Sequence, residues 1–232
     1  MRLFWFLTKK RRRLLLLLFA VAPCMLFLSG NLVLAASDEE LAGVIACVEI
    51  YSCFLCSLSC CLILQSKDER ELIVLSGTSI VGIAVFEVGT AFAVSYGGGM
   101  LWGLLLLPAW IKIRFLLSYT VTALFLFSLS FLIRCLVGNV NGAVGVHAAL
   151  FLICYQNSGL APEAVITQEI CARDPLIGGY MHQTLYGDNG YWYISDGIWA
   201  QNRTAFFLLA LLLFALGLFF AKRTLHHNTK RG

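Results

Sequence analysis

Apolar residues do not alternate with polar ones along this chain; they arrive in long uncharged blocks. Residues 14–37 and 204–221 carry no charge, 41–66 carry only Glu49, 72–111 only Glu87, and 115–162 only Arg134. Blocks of this length are read as membrane-spanning helices, because about 20 apolar residues cross the hydrocarbon core of a bilayer. The pattern predicts an all-α, polytopic integral membrane bundle of about six spans, with one larger outer loop. The spans are read at 14–34, 41–64, 72–95, 98–111, 115–137 and 205–221.

The third and fourth come from one apolar stretch of 40 residues, too long for a single crossing. It is divided at Ser95-Tyr96-Gly97-Gly98-Gly99, where glycines permit a tight reversal. The chain then parses into a basic N-terminus (1–13), a bundle of about five spans (14–137), an outer loop (138–204), a last span (205–221) and a basic tail (222–232). Gly142 to Tyr155 is apolar but short for a span, and it reads as an interfacial or re-entrant helix of the outer loop.

Composition agrees. Of the 232 residues, 59% are hydrophobic and 13% charged, against roughly 45–50% and 25% in soluble domains. The net charge of +4 matters less than its placement. Lys9, Lys10, Arg11, Arg12 and Arg13 precede the first apolar block, and Lys222, Arg223, Lys230 and Arg231 follow the last. Lys and Arg in short loops stay on the cytoplasmic side, so both termini are expected to be cytoplasmic, in a plasma or secretory-pathway membrane. With these spans, 14 of the 17 Lys and Arg residues fall on the inner side. The first block also has the layout of a signal peptide, with small residues at Ala35-Ala36, which would leave five spans. Its 21-residue apolar run exceeds the usual 7–15 and favours an uncleaved span.

Ionisable residues inside spans are costly and usually face the bundle interior or a water-filled path. Glu49 and Glu87 each lie 19 residues from Asp68, the centre of the inner loop. On antiparallel neighbouring helices this predicts equal depth, and a pair sharing a proton if the side chains face one another. The plainer alternative is that each carboxyl is bound separately within the bundle.

Cys53, Cys56 and Cys60 follow Glu49 at i+4, i+7 and i+11, within about 60° on one helix face. Cys53 and Cys56 have the C-x-x-C spacing of redox motifs, although cysteine also packs as a small hydrophobe. Cys60 and Cys61, near the inner end of that span, are candidates for palmitoylation. In the outer loop, Cys154 and Cys171 are expected to form a disulfide. Tyr186, Tyr191, Trp192, Tyr193 and Trp199 form either an interfacial belt or a partner-recognition surface. Asn202-Arg203-Thr204 is a sequon too close to the last span for ready modification. Thr78, Gly82, Gly89 and Ala93 make a small-residue ridge, read as a contact within the bundle.

No catalytic triad, phosphate loop or dinucleotide fingerprint is legible, the four histidines are scattered, and neither a cofactor, a metal nor nucleic acid is expected. The expected function is therefore a non-enzymatic membrane scaffold or complex subunit that presents its outer loop to a membrane or extracellular protein, with oligomerisation open. A small channel or transporter subunit using Glu49 and Glu87 is the alternative, and a membrane thiol-disulfide oxidoreductase comes third. The layout of short loops with one large cysteine-bearing loop before the last span resembles tetraspan scaffolds. It has extra spans and lacks the Cys-Cys-Gly signature of tetraspanins.

Overall fold

A computed structural model describes residues 7–28, 49, 51–62, 79–106, 109–158 and 196–228. Among the described residues only Arg11, Ser79, Gly138 and Asn139 fall outside helices. The helices are α1 (Arg12–Leu28), α2 (Tyr51–Leu62, its last turn a 3-10 helix from Leu58), α3 (Ile80–Leu106), α4 (Ala109–Val137), α5 (Val140–Ser158) and α6 (Asp196–Asn228). Three contain segments long and apolar enough to cross a membrane: Val81–Leu105, Phe115–Val137 and Arg203–Lys222. Tyr51–Leu62 and Val140–Leu152 are shorter apolar helices.

The expected break at Gly97-Gly98-Gly99 does not occur, because α3 runs through it as 27 continuous residues. Gly98 and Gly99 thin the helix where neighbours press against it. A Cβ on Gly98 would stand 2.4 Å from the backbone oxygen of Phe19 in α1, and one on Gly99 would stand 2.4 Å from the Tyr119 ring in α4. In a membrane helix the hydrogen-bonded backbone has no water to turn to, so glycine serves close packing there.

The turn after α4 is set by two residues. Gly138 takes φ +78° and donates its N–H to the Arg134 carbonyl at 3.2 Å, a left-handed cap that ends the helix. Asn139 then opens α5, its Oδ1 accepting from the Gly142 N–H at 2.6 Å, as an N-cap does. Arg134 also reaches back to the Gly138 carbonyl. Such a short link folds α5 directly back along the bundle.

Side-chain contacts fix the relative direction of each helix. Antiparallel α3 and α4 meet at Gly103 against Phe115, Gly99 against Tyr119, and Phe92 edge-on to Phe127. Helices α4 and α6 run parallel, with Phe125 on Phe206 and Phe131 on Phe214. Also parallel to α4 is the chain of Glu49 and α2, with Glu49 at Ser118 and Cys61 at Ser130. Antiparallel to α2, α5 stacks Phe151 on Phe54 at 3.9 Å and sets His147 beside Ser57. Parallel to α3, α1 places Arg11 at Glu87 and Phe19 at Gly98. Successive helices therefore alternate in direction.

Helix α4 occupies the centre: 56% of its apolar window is buried inside the bundle, against 17% of that of α6. The outward faces carry large apolar side chains, Leu208, Leu212 and Phe219 on α6 and Leu105 on α3 among them. The small-residue ridge also looks outward. Gly82, Gly89 and Ala93 are exposed, and nothing lies within 4 Å of a Cβ built on Gly89, so the expected intramolecular contact is not made among the described residues, outside which Thr78 lies.

Candidate functional site

Among the described residues, Glu49, Glu87, Arg134 and Arg203 are buried and Arg11 is half-buried; Glu49 and Arg203 share one setting, and Glu87 and Arg11 another. Glu49, fully buried, turns Oε1 toward α4, where it accepts hydrogen bonds from Ser118 Oγ at 3.0 Å and from Thr122 Oγ1. Four residues apart, these hydroxyls share one face of α4. Their oxygens in turn accept from Arg203 Nη1 of α6, at 3.2 Å and 3.3 Å. Arg203 is itself buried. Each hydroxyl donates to the carboxylate and accepts from the guanidinium, so opposite charges on two helices are joined through a third.

Glu87 has a different partner. Its Oε1 lies 3.2 Å from Arg11 Nη2, and that guanidinium also donates to the Leu62 carbonyl at 3.4 Å. The cation thus sits at the end of α2, where the helix dipole is negative, and ties α2 to α3. A small cleft of about 20 Å³ between α1 and α3 is lined by Thr8, Arg11, Ser59, Glu87 and Thr90, with Leu14 and Leu18.

The two carboxylates do not share a depth. Arg11 joins Glu87 to Leu62, thirteen residues beyond Glu49, a separation of roughly 15–20 Å along the helical rise. Counting from the loop centre assumed that both helices leave the loop symmetrically. Leu62 and Ile80 bound the described ends of α2 and α3, and Glu87 stands only seven residues into α3.

Cys53, Cys56 and Cys60 are all fully buried. Cys53 packs with Phe115, Tyr119 and Ala123, and Cys56 and Cys60 pack with Leu18, Ala84 and Val88. Cys56 also donates weakly to the Leu18 carbonyl. All three are free thiols, and the stripe is a helix contact. Cys60 and Cys61 have no exposed surface, and Cys61 Sγ lies 3.1 Å from Ser130 Oγ. An acyl chain would have to replace this packing, which argues against the palmitoylation read from their position.

The expected disulfide involves Cys171, which lies outside the described residues, as do Tyr186, Tyr191, Trp192 and Tyr193. Cys154 falls within α5 and Trp199 within α6.

Several polar positions escaped the sequence reading. His147, fully buried, sets Nε2 2.9 Å from Ser57 Oγ and stacks on Phe54 with ring centroids 5.4 Å apart. Its Nδ1 has no hydrogen-bond partner among the described residues. The hydroxyls of Ser59, Ser95 and Tyr119 are likewise buried without a partner in hydrogen-bonding geometry among the described residues. No group of metal-binding residues occurs among the described residues. No protein family, no curated protein and no solved structure matches this chain.

Proposed function

We propose that this protein is a non-enzymatic, multi-pass membrane scaffold or complex subunit that presents the segment between α5 and α6 to a protein partner. The observation that carries this reading is how the intramembrane charges are used. Glu49, Arg203, Glu87 and Arg11 join helices far apart in sequence. Buried ion–hydroxyl ties of this kind specify which helices pack together, as a rigid platform requires.

The alternation of helices supports a six-crossing topology as part of this reading. With α3 as one crossing, α5 supplies the sixth, and both termini lie at one end of the bundle. Lys9 to Arg13, Arg134 and Lys222 gather at that end, while Lys112, Arg114 and Arg203 stand toward the other. Counted over the chain in this scheme, 13 of the 17 Lys and Arg residues fall on the terminal side, which supports cytoplasmic termini. The side-chain contacts of α1 within the bundle favour an uncleaved first span.

A second reading, a small channel or transporter subunit, is favoured by one feature. Between the levels of Glu49 and Glu87, buried Tyr119, Ser95 and Ser59 offer hydroxyls without a hydrogen-bond partner among the described residues, the kind of groups that ordered water bridges. The readings separate by experiment. Purification in mild detergent after replacing residues 160–194 with a flexible linker should lose the co-purifying partner while the bundle stays monodisperse. Retention of the partner, together with proton or ion flux abolished by Glu49→Gln or Glu87→Gln in reconstituted vesicles, would establish the second reading instead.

A further inference from the structure

Two helices end in the same way at the same end of the bundle. In α1 and the turn before it, Lys9, Lys10, Arg12 and Arg13 are all exposed, and the next turn exposes Leu16 (60%) and Leu17 (58%). In α6 the order is mirrored, with Phe219 exposed by 62% and Lys222 exposed just beyond it. Between these ends the two helices share one apolar cluster, to which α1 gives Leu14, Leu15 and Leu18 and α6 gives Leu218 and Ala221. The basic residues of both helices therefore stand at the same end of the bundle, each set beside exposed apolar side chains of its own helix. Arg11 is the exception among the five consecutive cations, since it turns inward to Glu87 and Leu62.

We propose that this rim is a binding site for anionic phospholipid headgroups of the adjoining leaflet, made by Lys9, Lys10, Arg12, Arg13 and Lys222. Charge complementarity alone would admit any polyanion. What selects a lipid is the step from exposed cation to exposed leucine or phenylalanine within one or two turns, on both helices. A phosphodiester at the hydrocarbon boundary meets the cations while its acyl chains cover the apolar side chains below. A nucleic acid or an acidic peptide would satisfy the charges and leave those apolar residues facing its own polar surface. Glu87 holds one cation back, so the rim and the internal ion pair are distinct sites. The proposal rests on the bundle lying in a bilayer and is independent of the scaffold role.

The test uses the full chain reconstituted into vesicles of phosphatidylcholine with admixed phosphatidylglycerol. Lipids carried by the protein are counted by native mass spectrometry after extraction. Phosphatidylglycerol should be enriched over phosphatidylcholine in the retained lipid, and raised salt in the extraction buffer should reduce the enrichment. Each of Lys9→Gln, Arg12→Gln and Lys222→Gln should lower it by up to about fivefold at low salt. Glu87→Gln, which leaves the exposed cations in place, should not lower it. Equal retention of the two lipids by the wild-type chain, or enrichment untouched by the rim substitutions, would overturn the proposal. So would a soluble polyanion, such as heparin, that displaces the phosphatidylglycerol and stays bound to the chain after reconstitution. Failure of the chain to float with the vesicles would overturn it too, together with the membrane reading beneath it.

Discussion

Ser118 and Thr122 show how much a single hydroxyl is asked to do in this bundle. Each satisfies a buried carboxylate on one side and a buried guanidinium on the other, in surroundings where an unsatisfied polar group is expensive. Thr122→Val keeps the shape and removes the relay, so it should destabilise the folded chain by about 1–3 kcal/mol, measured by unfolding in detergent. In a double-mutant cycle with Glu49→Gln the two losses should fall short of additive, because both remove the same tie. Strict additivity would show that hydroxyl and carboxyl act independently. The carboxylates were legible in the sequence, since a single charge stands out in an apolar run. Their partners were not. Ser118 and Thr122 are 69 and 73 residues from Glu49, Arg203 read as a boundary residue of a sequon, and Arg11 read as one of five orientation charges. Which charge enters the bundle depends on rotation about a helix axis, which packing decides.

At the scale of elements, local grammar misled where solvent was the missing variable. Three consecutive glycines signal a turn in water, yet in α3 two of them, Gly98 and Gly99, are points of close approach to α1 and α4. The prediction is specific to position. Gly98→Val should break the α1–α3 contact, because the obstructing group is the Phe19 backbone and cannot swing away; the cost is about 1–3 kcal/mol or more, seen as lost thermal stability and aggregation. Gly97→Ala, with nothing within 4 Å of the added carbon, should leave stability nearly unchanged. Equal effects of the two would contradict the close-approach account. Gly138-Asn139 is the converse case: a left-handed cap followed by an N-cap stands where the sequence pattern ends the fifth span at 137, before the short apolar helix read from Gly142. The small-residue ridge was a true helical periodicity whose direction could not be read, since a ridge that faces lipid and one that faces a neighbour have the same spacing.

For the whole molecule, the helix directions and the pattern of the sequence give two routes to the same number of crossings. Joining two expected spans into α3 removes one crossing, and in the topology proposed above α5, expected as an interfacial or re-entrant helix, supplies it. That proposal keeps both termini on one side of the membrane and the loop before α6 on the other, as the sequence pattern does, by a different route. Between them, the two routes disagree about only a few positions. The sequence reading puts Lys112 with the termini and Asn141 with the outer loop, whereas alternation of the six helices puts Asn141 with the termini and Lys112 with the segment between α5 and α6. The direct measurement is labelling of intact, sided vesicles with a membrane-impermeant maleimide after introducing single substitutions Arg2→Cys, Lys112→Cys, Asn141→Cys and Tyr180→Cys, each scored against the unsubstituted chain. The six-helix alternation predicts that Asn141→Cys reacts from the same side as Arg2→Cys, and Lys112→Cys from the same side as Tyr180→Cys. Reaction of Asn141→Cys together with Tyr180→Cys, and of Lys112→Cys together with Arg2→Cys, would contradict it.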